Sequence, residues 1–156
     1  MAYVNTDSSF RSLDRIRRGP RAYVRAWSYS AVAADTPGLV QIATTGYTFE
    51  ALADSVAGSI TCFGAMVGVA RDAAFASSAS GWVQIEGPRD DVQFAAAKAS
   101  GNSGIACKLA TTTAVASGST YYGGQEQWGV FTGTSYDAST TANVYLSGKL
   151  CAGIAG

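Results

Sequence analysis

Residues 66–89 (MVGVARDAAFASSASGWVQIEGPR) and 127–150 (QWGVFTGTSYDASTTANVYLSGKL) align without a gap at an offset of 61. Gly68, Val69, Ser78, Val83 and Gly87 fall on Gly129, Val130, Ser139, Val144 and Gly148. Phe75 falls on Tyr136, Ser80 on Thr141 and Ile85 on Leu146. A repeat of this kind constrains the fold more than a single motif does, because each copy has to form the same supersecondary unit. The unit reads as a short apolar strand after a glycine (Gly68-Val69-Ala70, Gly129-Val130-Phe131), a small-residue connection, and an alternating strand (Trp82–Glu86, Asn143–Ser147). Alternation puts Val83 and Ile85 on one face and Gln84 and Glu86 on the other; Val144 and Leu146 repeat this. The pattern predicts a sheet with one buried and one wet face. Gly87 and Gly148 are expected to end the alternating strands.

Further strands are predicted near residues 23–29, 39–43, 105–109 and 120–122, with Thr36-Pro37-Gly38 as a turn. Phe49, Leu52, Ala53 and Val56 have helical spacing, and Gly58 follows as a C-cap, so a short helix is predicted over 49–57. The Ala-rich stretch 94–99 reads as a helical turn. Many short strands separated by Gly, Ser and Thr indicate a mainly β fold. The expected architecture is a small glycine-rich antiparallel β-barrel or sandwich with two related β-units, plus an N-terminal arm and one or two short helices.

Composition narrows the function. Ala, Gly, Ser and Thr make up 77 of the 156 residues, and 14% are charged, against about 25% in ordinary domains. The chain is 47% hydrophobic, enough apolar surface to fold rather than stay disordered. With no histidine, Ser-His-Asp and Cys-His nucleophile systems and His-ligated metals are excluded. Cys62, Cys107 and Cys151 are odd in number and form no CxxC pair, so they read as reduced small hydrophobes. The N-terminal residues lack the apolar core of a secretory signal. No apolar run reaches the roughly 18 residues of a membrane span.

Charge is unevenly placed. Residues 1–34 carry six arginines against Asp7 and Asp14, a net +4, and residues 35–156 carry −4. The reading is a basic N-terminal arm (1–34) on a β-rich body (35–156). Phe10, Leu13 and Ile16 suggest a helix capped by Ser8 or Ser9, supported by an Asp14–Arg18 pair and stopped by Gly19-Pro20. About ten residues do not hold a helix alone in water, so it would need a surface of its own body or of a partner; a solvated terminus is the plain alternative. Arg-rich arms also bind nucleic acid, but near-neutral charge argues against a binder that works through bulk electrostatics.

Chemistry-bearing clusters are few. Glu86 with Asp90 and Asp91, placed in a turn, offers oxygen ligands for Ca²⁺ but without EF-hand spacing. Gly101–Gly104 and Gly123-Gly124 precede no convincing helix, so phosphate cradles are not expected. Trp82, Trp128, Tyr121, Tyr122, Tyr136 and Tyr145 could line a sugar-binding face, or an apolar core or interface. The three Glu residues carry no supporting motif for a carboxylate-pair enzyme. No enzymatic activity, cofactor or metal is expected.

The run GVA, then GWVQIEG, then WGVF and the closing strand NVYLSGKL resembles the capsid decoration (cement) proteins of tailed bacteriophages, over roughly residues 58–150. The resemblance implies a structural virion protein, assembled in the host cytoplasm, that binds the exterior of an icosahedral capsid and cements neighbouring major capsid subunits. Its implied partners are the major capsid protein and itself, as a homotrimer in preference to a dimer, with neither nucleic acid nor membrane. The charge asymmetry adds a docking set on the arm: Phe10, Arg11, Leu13, Arg15, Arg17, Arg18, Arg21 and Arg25. A carbohydrate- or host-binding adhesin or fibre module, and a coat or tail subunit, remain the alternatives.

Overall fold

A computed structural model describes residues 15–44, 46–51, 66–71, 76–93, 99–101, 106–108, 127–133, 136–139 and 141–148. Their strands are β1 (Arg15–Arg18), β2 (Arg21–Ser28), β3 (Pro37–Ala43), β4 (Gly46–Ala51), β5 (Met66–Ala70), β6 (Ala79–Gln93), β7 (Ala99–Gly101), β8 (Ala106–Lys108), β9 (Gln127–Phe131), β10 (Tyr136–Ser139) and β11 (Thr141–Ser147). The described residues contain no helix. Nine strands form one sheet in the order β1-β2-β4-β3-β5-β6-β11-β9-β8, and β10 pairs with β7. A second pairing, β2 with β6, closes β2-β4-β3-β5-β6 into a five-stranded barrel. All pairs are antiparallel except β2–β4, because the β3–β4 hairpin folds β4 back between β3 and β2.

The barrel interior follows from alternation. Ala22, Val24 and Ala26 of β2, Val40 of β3, Tyr47 and Phe49 of β4, Met66 and Ala70 of β5, and Val83 and Ile85 of β6 are buried in one cluster. Five strands enclose little space, so small residues set the packing. Gly38 and Gly68 stand opposite each other in the β3–β5 ladder. A Cβ at Gly38 would overlap the Phe49 ring, and one at Gly68 would overlap the Val83 side chain. Beyond the barrel, Val92, Phe131, Ala142, Val144 and Leu146 are buried on β6, β9 and β11.

The sequence repeat is also a repeat of strand pairing. Val69 pairs with Gln84 and Ala70 with Val83; Val130 pairs with Tyr145 and Phe131 with Val144, each 61 residues on. Arg71 N–H donates to the Trp82 carbonyl over 3.0 Å, and Thr132 N–H to the Asn143 carbonyl over 2.9 Å. Both bonds prolong the ladder one step past the first strand, at the same offset. The two units meet where β6 pairs with β11, and there Glu86 faces its own counterpart, Ser147.

Several expectations are corrected. Residues 15–18 are a strand, not the end of a helix: Arg15-Ile16-Arg17 alternates, and pairing with β2 outweighs a helix too short to persist. Gly19, with φ +57°, and Pro20 form the two-residue hairpin loop between Arg18 and Arg21 instead of a helix stop. The boundary at residue 34 does not separate arm from body, since β2 is a wall of the barrel. Residues 49–51 are strand, because Tyr47 and Phe49 point inward and Thr48 and Glu50 outward with period 2. β6 runs through Gly87 and Pro88 to Gln93, so Asp90 and Asp91 lie in a strand, with a register shift opposite Ala142/Val144. Gln84, expected on the wet face, is fully buried; its repeat equivalent Tyr145 is exposed. The rest of the 49–57 helix, residues 94–98, the 120–122 strand, Cys62 and Cys151 lie outside the described residues.

Candidate functional site

The β1–β2 hairpin gathers the cations of the N-terminal region. Arg15, Arg17, Arg18 and Arg21 are all exposed. By register Arg15 sits opposite Val24 and Arg17 opposite Ala22, so their side chains share the face that carries the barrel core. From there both reach Glu86: Arg17 Nη2 donates to Oε2 over 2.7 Å, and Arg15 Nη2 approaches the same oxygen at 3.4 Å. Glu86 is placed for this because β6 pairs it with Ala22 on one side and Ser147 on the other. The Glu side chain is three-quarters buried and the arginines are half-exposed. Such pairs contribute roughly 0–1 kcal/mol and act mainly by fixing direction.

Two more contacts fasten the loop. Gly87 adopts φ +93°, and a Cβ there would strike the Pro20 carbonyl. Arg21 Nε donates to the Pro88 carbonyl over 3.0 Å. The hairpin is therefore held to β6 by a side-chain clamp, by close backbone approach and by a side-chain-to-backbone bond. At its tip Arg18 and Arg21 face each other, an arrangement of like charges that is unfavourable in isolation. The Arg18 side chain forms no hydrogen bond or ion pair with another described residue. Among the described residues one carboxylate thus pairs with two of the four guanidinium groups, leaving the hairpin with an excess of positive charge.

Of the predicted docking set, Arg15, Arg17, Arg18 and Arg21 come together on the hairpin. Arg25 lies farther along β2, where its Nε donates to Ser80 Oγ over 3.1 Å. Phe10, Arg11 and Leu13 lie outside the described residues. Glu86 belongs to the site as the anchor; in sequence it read as one outward position of an alternating strand or as a calcium ligand, and nothing local marks it as the partner of residues some 70 positions earlier. Asp90 and Asp91 are exposed, with Asp91 N–H donating to Asn143 Oδ1 over 3.0 Å. No group of three or more potential metal ligands exists among the described residues.

A second ion pair is internal. Arg89 donates to Asp35 Oδ1 and to the Ala70 carbonyl. Asp35 itself, at φ +61°, ties the 34–37 turn to the ends of β5 and β6 through Asp35 N–H to Ala70 O and Gln93 N–H to Asp35 O. This network is structural, linking three chain segments at one end of the barrel.

No family model matches the chain, and no curated protein and no solved structure matches it. No helix among the described residues is long and apolar enough to cross a membrane.

Proposed function

We propose that the chain is a non-enzymatic structural protein of a virion, which binds the outer surface of an icosahedral capsid and cements neighbouring major capsid subunits. The observation that carries this reading is the fastened hairpin. The strand pair is held in place while its exposed guanidinium groups outnumber their single carboxylate, so it suits an acidic, preformed protein surface. Preorganisation of this kind lowers the ordering cost of binding, and many copies on one shell add avidity. The small-residue barrel supplies a rigid body, and the likeness of residues 58–150 to cement proteins supplies the class of partner.

The deciding experiment is occupancy. Shells made without this chain are mixed with the purified protein, pelleted, and assayed for bound copies. Stoichiometric, saturable binding to the exterior is the expected result. Absence of binding to any shell from the producing cell would contradict it. Light scattering on the free protein tests the accompanying proposal of a homotrimer, which closed local symmetry favours; a monomer at all concentrations would remove that element alone.

A further inference from the structure

At the end of β2 opposite the hairpin the barrel carries a groove of about 380 Å³, within the roughly 300–1,000 Å³ of small-molecule sites. We propose that this groove is a binding site for a neutral saccharide. It arises where β2 stops at Ser28 while its parallel neighbour β4 continues to Ala51. Trp27, Thr48 and Gln41 form one outward row across β2, β4 and β3, and Tyr29 and Glu50 lie just beyond it.

Tyr29 lines the groove and is 75% exposed, so its ring is open to a ligand there. Its position is set, not adventitious. Trp27 meets it edge-on, with ring centroids 6.5 Å apart at 78°. The buried Ser28 hydroxyl donates to the Ser30 carbonyl over 2.8 Å, which fixes the backbone on both sides of Tyr29. Three of the groove's polar side chains, those of Gln41, Thr48 and Glu50, form no hydrogen bond or ion pair with another described residue.

An exposed ring beside a carboxamide, a hydroxyl and a carboxylate matches a pyranose, which offers an apolar C–H face for the ring and a rim of hydroxyls that both donate and accept. An anionic sugar is disfavoured, since among the described residues Glu50 lines the groove and no Arg or Lys does. A simple cation would use Glu50 but not the amide donors of Gln41. About 23 Å of extended strand separates Arg21 from Ser28, so a protein held by its hairpin would keep the groove free. The inference does not rest on the capsid reading.

The test is NMR titration of the ¹⁵N-labelled protein with maltose, lactose, cellobiose and N,N′-diacetylchitobiose. The expected result is shifts confined to Tyr29, Gln41, Thr48, Glu50 and their neighbours with at least one disaccharide. Tyr29→Ala and Gln41→Ala should each weaken that binding at least about tenfold with the remaining amide spectrum unchanged, and Tyr29→Phe should keep it. Silence at the groove with all four sugars, or equal affinity in Tyr29→Ala, overturns the proposal. The hairpin variant Arg18→Glu/Arg21→Glu should bind sugar normally, which separates this site from the docking surface.

Discussion

The Arg17 guanidinium donates to Glu86 Oε2 over 2.7 Å, joining the edge strand β1 to β6 across 69 positions of sequence. The contact turns a stretch of basic chain into a directed feature of the barrel. Glu86→Ala should therefore loosen the hairpin more than it destabilises the fold. Global stability is expected to fall by no more than about 1 kcal/mol, while tryptic cleavage after Arg15, Arg17 and Arg18 accelerates several-fold. Equal proteolysis of both proteins would show that the clamp does not hold β1.

Gly38→Ala and Gly68→Ala address the narrowness of the barrel. Each new methyl meets a core side chain, the Phe49 ring or Val83. Overpacking of this kind typically costs about 1–3 kcal/mol, read as a lower urea midpoint with an unchanged slope. A neutral effect at both sites would mean that the β3–β5 wall yields freely.

Asp35 and Arg89 form the better buried ion pair, with Arg89 only 13% exposed. Asp35→Ala loses the pair and keeps a side chain at positive φ, so a loss of about 1–3 kcal/mol is expected. Asp35→Asn should be milder, because Asn tolerates that backbone region and still accepts a hydrogen bond. A double-mutant cycle with Arg89→Met should give a coupling energy above about 0.5 kcal/mol. Strict additivity would contradict the network.

The paired repeat predicts matched hydrogen exchange. The Arg71 and Thr132 amides each lie one residue past a strand yet donate to Trp82 and Asn143. Both should be protected well beyond their unpaired neighbours. Rapid exchange at either would break the structural equivalence of the two units.

The repeat was legible in the sequence because glycines and apolar positions recur in order, and pairing preserves that order. The mainly β barrel was legible for the same reason, from period-2 alternation in β2, β6 and β11. Closure was not, since the β2–β6 pairing joins segments with no local signal for each other. The two helical readings are overturned at the residues described, 15–18 and 49–51; Phe49 and Ile16 satisfy a helix stripe, but Tyr47 and Tyr23 complete strand faces that include them. Charge counting found the arginines of the site. It missed Glu86 as their anchor, and it missed Tyr29, whose exposure depends on where β2 stops.

The central claim is that the fixed cationic hairpin docks the protein on an acidic shell surface. It is tested most directly by comparing the wild type with Arg18→Glu/Arg21→Glu for binding to undecorated shells across a salt series. Neither substituted side chain is buried; the variant loses the Arg21–Pro88 bond but keeps the Glu86 clamp, so the barrel fold should persist with melting lowered by at most a few degrees. The account predicts saturable wild-type binding that weakens with salt and at least a tenfold loss in the variant, roughly 1.4 kcal/mol or more. Undiminished, salt-insensitive binding by the folded variant would contradict it.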